Sequence, residues 1–165
     1  INQNRKLLEK IEIRNQPDSS KIFSNIIQPE EFFDLTICNP PFHESAQAAQ
    51  EGSQRKVRNL TGKAVAKAEL NFGGQAAELW TEGGELAFIR KMIAESLHFK
   101  NQVFWFTTLV SKSENLKPIQ NHLQKSGVID KKIIEMAQGN KKSRLVAWTF
   151  LTEKQVAAWK NYRWA

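Results

Sequence analysis

Four consecutive residues, Asn39, Pro40, Pro41 and Phe42, combine a side-chain amide, two prolines and an aromatic ring. The amide oxygen of Asn39 and the carbonyl oxygen of Pro40 can both accept hydrogen bonds from a planar amine. Two successive prolines fix φ and remove two N–H donors, so the turn is rigid and presents mainly carbonyl groups. Phe42 adds a face on which a flat group can stack. These residue types in this order predict a turn that holds an exocyclic NH2 group.

The elements around this turn indicate where it lies in a fold. Residues 32–38 form a near-continuous apolar stretch of the kind found in parallel sheets, and the turn follows immediately. Ligands of open α/β sheets bind beyond the carboxyl ends of the strands. We therefore interpret residues 39–42, named the acceptor turn below, as part of a ligand site. A rigid connection between strand and loop, without a ligand, is the alternative.

Composition indicates the kind of partner. The chain carries 24 Lys and Arg residues against 17 Asp and Glu residues, a net charge of +7, which favours a polyanion. The basic residues form two clusters, each of which we expect on a loop, although ordinary solvated loops would look the same. The first cluster comprises Arg55, Lys56, Arg58, Lys63 and Lys67, and the second comprises Lys141, Lys142 and Arg144.

Length and residue usage exclude several classes of protein. A chain of 165 residues with 41% apolar residues fits a single domain, residues 1–165. No stretch approaches the ~20 apolar residues needed to cross a bilayer, and residues 1–14 are too charged for a signal peptide. We expect a cytoplasmic protein without membrane association. Cys38 is the single cysteine, which excludes an internal disulfide and a multi-cysteine zinc site, and no metal site is predicted.

Hydrophobic periodicity predicts an α/β fold that ends in an antiparallel hairpin. Residues 10–14 alternate like a short strand, residues 22–27 have helical spacing, and residues 43–74 are expected to form a mobile substrate loop. The remaining expected elements are strand 33–38, helix 85–98, strand 102–110, helix 113–125, strands 128–136 and 145–151 around a connection at 138–143, and helix 153–163.

Several segments together resemble one enzyme family in order and spacing. They are residues 38–45, which contain the acceptor turn, Leu70 to Gln75, Glu78 to Glu85, Glu135 to Gly139, and Ala147 to Phe150. The sequence is similar to the bacterial adenine-N6 methyltransferases of large-subunit 23S ribosomal RNA, a family with a human relative that methylates a spliceosomal small nuclear RNA. The resemblance covers most of residues 11–151.

This resemblance implies a Rossmann-like class I methyltransferase sheet, S-adenosylmethionine as cofactor and ribosomal RNA as partner. Asn39 and Pro40 would accept hydrogen bonds from N6 of a flipped adenine, Pro41 would keep the turn rigid, Phe42 would stack on the base, and Asn39 would also face the cofactor. The basic clusters would bind RNA. Because no glycine-rich loop precedes Asn39, we expect the chain to be a carboxyl-terminal part, with the other cofactor residues absent and an open strand edge that invites self-association.

Two other functions remain open at this stage. A protein-glutamine N5 methyltransferase uses a similar turn, usually with Tyr in place of Phe42, but does not require basic clusters beside it. A non-catalytic RNA-binding fragment would explain the basic residues and the absent cofactor loop.

Overall fold

The computed structural model describes residues 10–45, 47, 80–138 and 141–165, with the backbone alone for Gln138, Lys141 and Lys142. Short 3-10 turns, Leu97–Phe99 and Ser113–Asn115, flank the second strand. The helices and strands are, in chain order, β1 (Phe33–Leu35), α1 (Gly84–Ser96), β2 (Val103–Val110), α2 (Leu116–Lys125), β3 (Asp130–Gln138), β4 (Lys141–Thr149) and α3 (Glu153–Arg163). Within the described residues, no helix has the length and apolar character required to span a membrane.

The four strands in the described part of the chain form one mixed sheet in the order β1-β2-β4-β3. β1 is parallel to β2, whereas β4 is antiparallel to both β2 and β3. The expected α/β sheet with a terminal antiparallel hairpin is therefore confirmed. Because β4 runs opposite to β2, Arg144 is registered with Val110, at the edge of the sheet where β1 and β2 both end.

The main core lies between the sheet and helices α1 and α2. Trp148 on β4 is fully buried and stacks on Phe106 of β2, with ring centroids 5.7 Å apart. Its indole Nε1 donates a 3.1 Å hydrogen bond to Oγ of Ser96, so the one polar atom of the ring is satisfied. Each large apolar side chain buried in this way stabilises the fold by about 1.5–3 kcal/mol. The other fully buried apolar members are Ile89, Met92, Ile93, Val103, Val110, Ile119, Leu123 and Val146.

Helix α3 is attached to β1 through a carboxylate. Oδ1 of Asp34 accepts hydrogen bonds from the indole nitrogens of Trp159, at 2.7 Å, and Trp164, at 2.8 Å, and a longer one from Arg163. Thr152 begins the helix with a capping box in which Gln155 takes part, the usual way of satisfying the free N–H groups of a first turn. The carboxyl-terminal helix thus fixes the strand that leads to the acceptor turn.

Two expectations for the first third of the chain are wrong. Residues 10–14 are not a strand, because Arg14 turns inward to pair with Glu31 and to donate to the carbonyl of Ile26. Residues 22–27 form turns and no helix. Their backbone N–H groups at 22, 23 and 24 bond instead to the carboxylate of Glu95 on α1, which a periodicity argument cannot foresee.

The second basic cluster was expected on a loop, and that expectation is also wrong. Lys141, Lys142 and Arg144 belong to β4, because the hairpin pairs as far as Gln138 and Lys141. Strong cross-strand pairing therefore continues through polar residues that hydrophobicity alone assigns to a connection. Most of the expected loop at 43–74 lies outside the described residues, and so does the first cluster, with Arg55, Lys56, Arg58, Lys63 and Lys67.

Candidate active site at the carboxyl edge of the sheet

The backbone before the acceptor turn is bonded to β2 up to its last residue. The N–H of Cys38 donates to the carbonyl of Thr107 at 3.1 Å, and the N–H of Leu109 donates to the carbonyl of Cys38 at 2.9 Å. Cys38 itself is largely enclosed, and burial raises the pKa of its thiol, so it remains a neutral packing residue. Asn39 therefore begins at a position that the sheet fixes.

The residues of the acceptor turn differ in their solvent exposure. Pro40 and Pro41 are buried, Phe42 is half-buried, and Asn39 is exposed. Rigid, packed prolines hold the turn against the protein while the amide of Asn39 faces the solvent. The arrangement places an exposed amide residue and a half-buried aromatic residue at the edge where α/β sheets bind ligands.

The chain after the turn is held by the segment that leads into α1. The N–H of Thr81 donates to the carbonyl of His43 at 3.0 Å, and His43 forms a parallel bridge with Trp80. Gly84 has a φ of 64°, and a Cβ there would lie 2.6 Å from Cγ of Glu44. Glycine thus permits the close approach of Glu44 to the first turn of α1. Both ends of the acceptor turn are anchored.

A buried carboxylate organises the loop after β2. Glu85 is 1% exposed and accepts from the N–H of Ser111 at 2.6 Å, from Oγ of Ser111 at 2.5 Å and from Nδ2 of Asn115 at 2.7 Å. A fourth bond, 3.2 Å long, comes from the N–H of Lys112. Sequence reasoning missed Glu85, because an acidic residue in the first turn of a helix is ordinarily a surface residue. The double glycine before it was the available signal of close packing.

Lys112 and Glu44 meet beside the acceptor turn. Nζ of Lys112 lies 3.4 Å from Oε1 of Glu44, and both side chains are well exposed, at 43% and 66%. Sequence reasoning assigned neither residue to the site. Their separation of 68 positions along the chain explains why.

The sheet brings the acceptor turn and the second basic cluster to the same edge. Cys38 bridges Thr108, and Thr108 pairs with Val146, so Asn39 and β4 are separated by two strand spacings, about 10 Å. Arg144 is registered with Val110, and Lys141 and Lys142 continue outward along the backbone of β4. Glu135 lies directly across from Arg144, although no ion pair joins their side chains among the described residues.

Comparison with known proteins identifies the family. A family model described as RNA methyltransferase matches residues 1–152. The chain belongs to this RNA methyltransferase family, as the sequence resemblance predicted. S-adenosylmethionine is the methyl donor of class I methyltransferases, and the mixed sheet described above has that fold.

Curated relatives are proteins named ribosomal RNA large subunit methyltransferase F. The chain is 49% identical to the Shewanella sediminis protein over an alignment of 178 residues, gaps included, which covers 99% of this chain and 44% of the relative. It is 55% identical to the Salmonella newport protein over 155 residues, which cover 94% of this chain and 50% of the relative. The chain thus spans about half the length of the curated relatives it matches.

Solved structures of human METTL16 share the fold. The METTL16 catalytic domain in complex with the MAT2A 3'UTR hairpin 1 is 27% identical, with a TM-score of 0.59 over 76% of this chain and 42% of that one. The amino-terminal domain of human METTL16 in complex with SAH is 24% identical, with a TM-score of 0.50 over 78% of this chain and 37% of that one.

Among the described residues, Asn39 is the one expected to face a cofactor. Asn39 is exposed at the carboxyl edge of the sheet, where it would face a methyl donor. A glycine-rich turn that cradles the rest of such a cofactor cannot come from residues 1–38, because the first glycine of the chain is Gly52. The acceptor turn has the groups to orient an amine, and a glycine-rich turn for the cofactor does not precede it in this chain.

Proposed function

We propose that the protein containing this chain methylates N6 of an adenine in large-subunit ribosomal RNA, with S-adenosylmethionine as methyl donor. The observation that carries the proposal is the acceptor turn, in which buried prolines present an exposed Asn39 at the carboxyl edge of the sheet. Membership of an RNA methyltransferase family and about 50% identity to curated ribosomal RNA methyltransferases support it.

In this proposal the residues act by positioning. Oδ1 of Asn39 and the carbonyl oxygen of Pro40 accept hydrogen bonds from the two N–H groups of the adenine amine. These hydrogen bonds draw the nitrogen lone pair out of conjugation with the ring and towards the methyl group. The cofactor, when bound, supplies an electrophilic methyl group on a sulfonium. Since adenine N6 is inaccessible in a stacked helix, the base must be flipped out, at a cost of about a few kcal/mol that stacking on Phe42 partly offsets.

The basic clusters take the RNA backbone in the same proposal. Arg144 and the backbone positions of Lys141 and Lys142 lie at the edge that carries the acceptor turn. Arginine and lysine contacts to phosphates fix the register of a nucleic acid without reading its sequence. We assign the same role to Arg55, Lys56, Arg58 and Lys63, which follow the turn in the sequence.

Replacement of Asn39 tests the proposal in the full-length enzyme. Asn39→Ala should slow methyl transfer to 23S ribosomal RNA. The activation free energy should rise by about 2–4 kcal/mol, by analogy with the loss of one preorganised hydrogen-bonding group. RNA affinity should stay near that of the wild type, because Asn39 aligns the amine and does not bind phosphate. Asn101→Ala is the matched control, since Asn101 is an exposed asparagine that precedes β2 at the opposite edge of the sheet.

Radiolabelled methyl transfer distinguishes the alternatives. Label in N6-methyladenosine supports the proposal, label on the glutamine of a release factor identifies a protein methyltransferase, and RNA binding without transfer identifies a non-catalytic module. Equal losses of rate and RNA affinity in Asn39→Ala would contradict the role of Asn39.

A further inference from the structure

The loop after β2 lies at the surface, but hydrogen bonds to a buried carboxylate hold its backbone in place. The carboxylate of Glu85, which is 1% exposed, accepts four hydrogen bonds from Ser111, Lys112 and Asn115. A carboxylate removed from water is unfavourable unless its acceptor positions are filled, and among the described residues all four hydrogen bonds to Glu85 come from this loop. The backbone of Lys112 consequently has a defined position at the carboxyl edge of the sheet.

The side chain of Lys112, in contrast, is free to exchange its partner. Its ammonium is 3.4 Å from Glu44, a long contact between two exposed groups, and such pairs contribute little to stability. Glu44 follows Phe42 by two residues, and the packing of its Cγ against Gly84 keeps it beside the acceptor turn. The ion pair therefore lies where a nucleotide stacked on Phe42 would bring its own phosphates.

We propose that Lys112 binds a phosphate next to the target nucleotide, and that Glu44 occupies Lys112 until the RNA displaces it. Glu85 is then a positioning residue, which acts through the backbone of Lys112. The inference rests on the proposed RNA substrate and adds two functions to it: a specific phosphate contact and an internal carboxylate that competes with RNA. A backbone phosphate carries the same single charge as the carboxylate, but the neighbouring phosphates of the RNA add to the attraction on Lys112 and repel Glu44, so the exchange favours the bound state.

Single substitutions in the full-length enzyme separate the two roles. With a 23S ribosomal RNA fragment at low salt, Lys112→Ala should weaken binding about tenfold, the typical effect of one charge-assisted contact. It should reduce the slope of log K against log salt by about 0.7, whereas Lys112→Arg should retain both. Glu44→Gln should tighten binding by about twofold to fivefold, because the competing charge is removed.

The double variant decides whether Glu44 acts through Lys112. If it does, Glu44→Gln has no effect on RNA affinity in a Lys112→Ala background. An equal gain in both backgrounds would mean that Glu44 only repels RNA, and unchanged binding by Lys112→Ala would remove the phosphate contact; either result overturns the inference. Wild-type methylation of the same RNA, measured in parallel, shows whether the proposed function itself holds.

A conservative change tests Glu85 in the same way. Glu85→Gln keeps the size of the side chain and one acceptor oxygen but loses the charge that orders the loop. We expect this substitution to weaken RNA binding in the wild-type background and to have no effect on binding when Lys112 is already alanine. A Glu85→Gln defect of the same size in the Lys112→Ala background would assign Glu85 to the fold alone.

Discussion

Phe42 is half-buried in the acceptor turn, and the proposed function uses its ring to stack on the target base. Phe42→Ala should lower both the methylation rate and RNA affinity, because stacking of a base on an aromatic ring contributes about 1–3 kcal/mol. Phe42→Tyr should retain most activity, since the tyrosine ring keeps the same stacking face. Steady-state kinetics with RNA as the varied substrate provide the measurement. A tyrosine variant as inactive as the alanine variant would show that the ring is not used for stacking.

Gly83 and Gly127 form a matched pair for testing what fixes the start of α1. Both have left-handed backbones, with φ of 74° and 70°, so alanine costs about 1–2 kcal/mol at either position. A Cβ on Gly83 would in addition lie 2.7 Å from Cβ of Ala87 on the helix, whereas nothing lies within 4 Å of a Cβ on Gly127. Gly83→Ala should therefore lower the free energy of unfolding by about 1 kcal/mol more than Gly127→Ala, as measured by urea denaturation. Equal losses would show that the helix start can relax.

The place of the acceptor turn at the end of a paired strand could be predicted from the sequence, because its signal is local. Four adjacent residues carry the amide, the rigidity and the ring. Glu85, Lys112 and Glu44 could not be predicted in the same way, because each acquires its role from a residue at least 26 positions away. These contacts form because the chain returns from α1 through β2 to the carboxyl edge of the sheet. They therefore depend on the topology of the fold and not on neighbouring residues in the sequence.

At the scale of elements, the attachment of α3 to β1 depends on the charge of Asp34. The hydrogen bond from Trp159, followed by those from Trp164 and Arg163, lowers the pKa of Asp34 below its usual value. A carboxylate with a depressed folded-state pKa stabilises the fold above its unfolded-state pKa, and this contribution is lost as the pH falls through the folded-state pKa. The side chain is 44% exposed, so solvent screening keeps the effect small.

Asp34→Asn should therefore destabilise the protein at neutral pH and have little effect at strongly acidic pH. Urea denaturation of both proteins from neutral to strongly acidic pH measures the difference, and other acid-sensitive groups cancel in it. Chief among these is Glu31, whose pKa the hydrogen bond from Arg14 lowers to about 2. A difference in unfolding free energy that is independent of pH would mean that the charge of Asp34 contributes nothing.

Elements with strong internal signals were predicted well, and those defined by distant partners were not. The bounds of α3 agree with the expected helix at 153–163, which has a capping box. β1, in contrast, pairs regularly only over Phe33–Leu35, with Cys38 as a separate bridge, although the apolar stretch is twice as long. The helix expected at residues 22–27 does not form for a related reason. The carboxylate of Glu95 accepts hydrogen bonds from N–H groups that a helix would otherwise use.

At the scale of the whole molecule, the hairpin carries cations at both of its ends, and the topology places these ends at opposite edges of the sheet. Arg144 is registered with Val110 at the edge of the acceptor turn, while Lys131 is registered with Trp148 at the opposite edge. Helix α3, which begins after β4, adds Lys154 and Lys160 on that far side. A general attraction of RNA to a chain of net charge +7 would use both ends equally, whereas a site at the acceptor turn would use one.

Salt dependence of RNA binding distinguishes a local site from general attraction. In the full-length enzyme, the combined replacement of Lys141, Lys142 and Arg144 by alanine should weaken binding at low salt. It should also reduce the slope of log K against log salt by about 0.7 for each single-strand phosphate that the variant no longer binds. The control variant replaces Lys131, Lys154 and Lys160, which removes the same charge from the opposite side of the sheet.

Because released counterions report phosphate binding and not total charge, we expect the slope of the control variant to remain close to that of the wild type. Methylation at saturating RNA should survive in both variants, since neither alters the alignment of the amine at Asn39. Equal slopes in the two variants would mean that the cations of β4 act only through net charge, and RNA binding would then depend on the acceptor turn and on residues outside this hairpin.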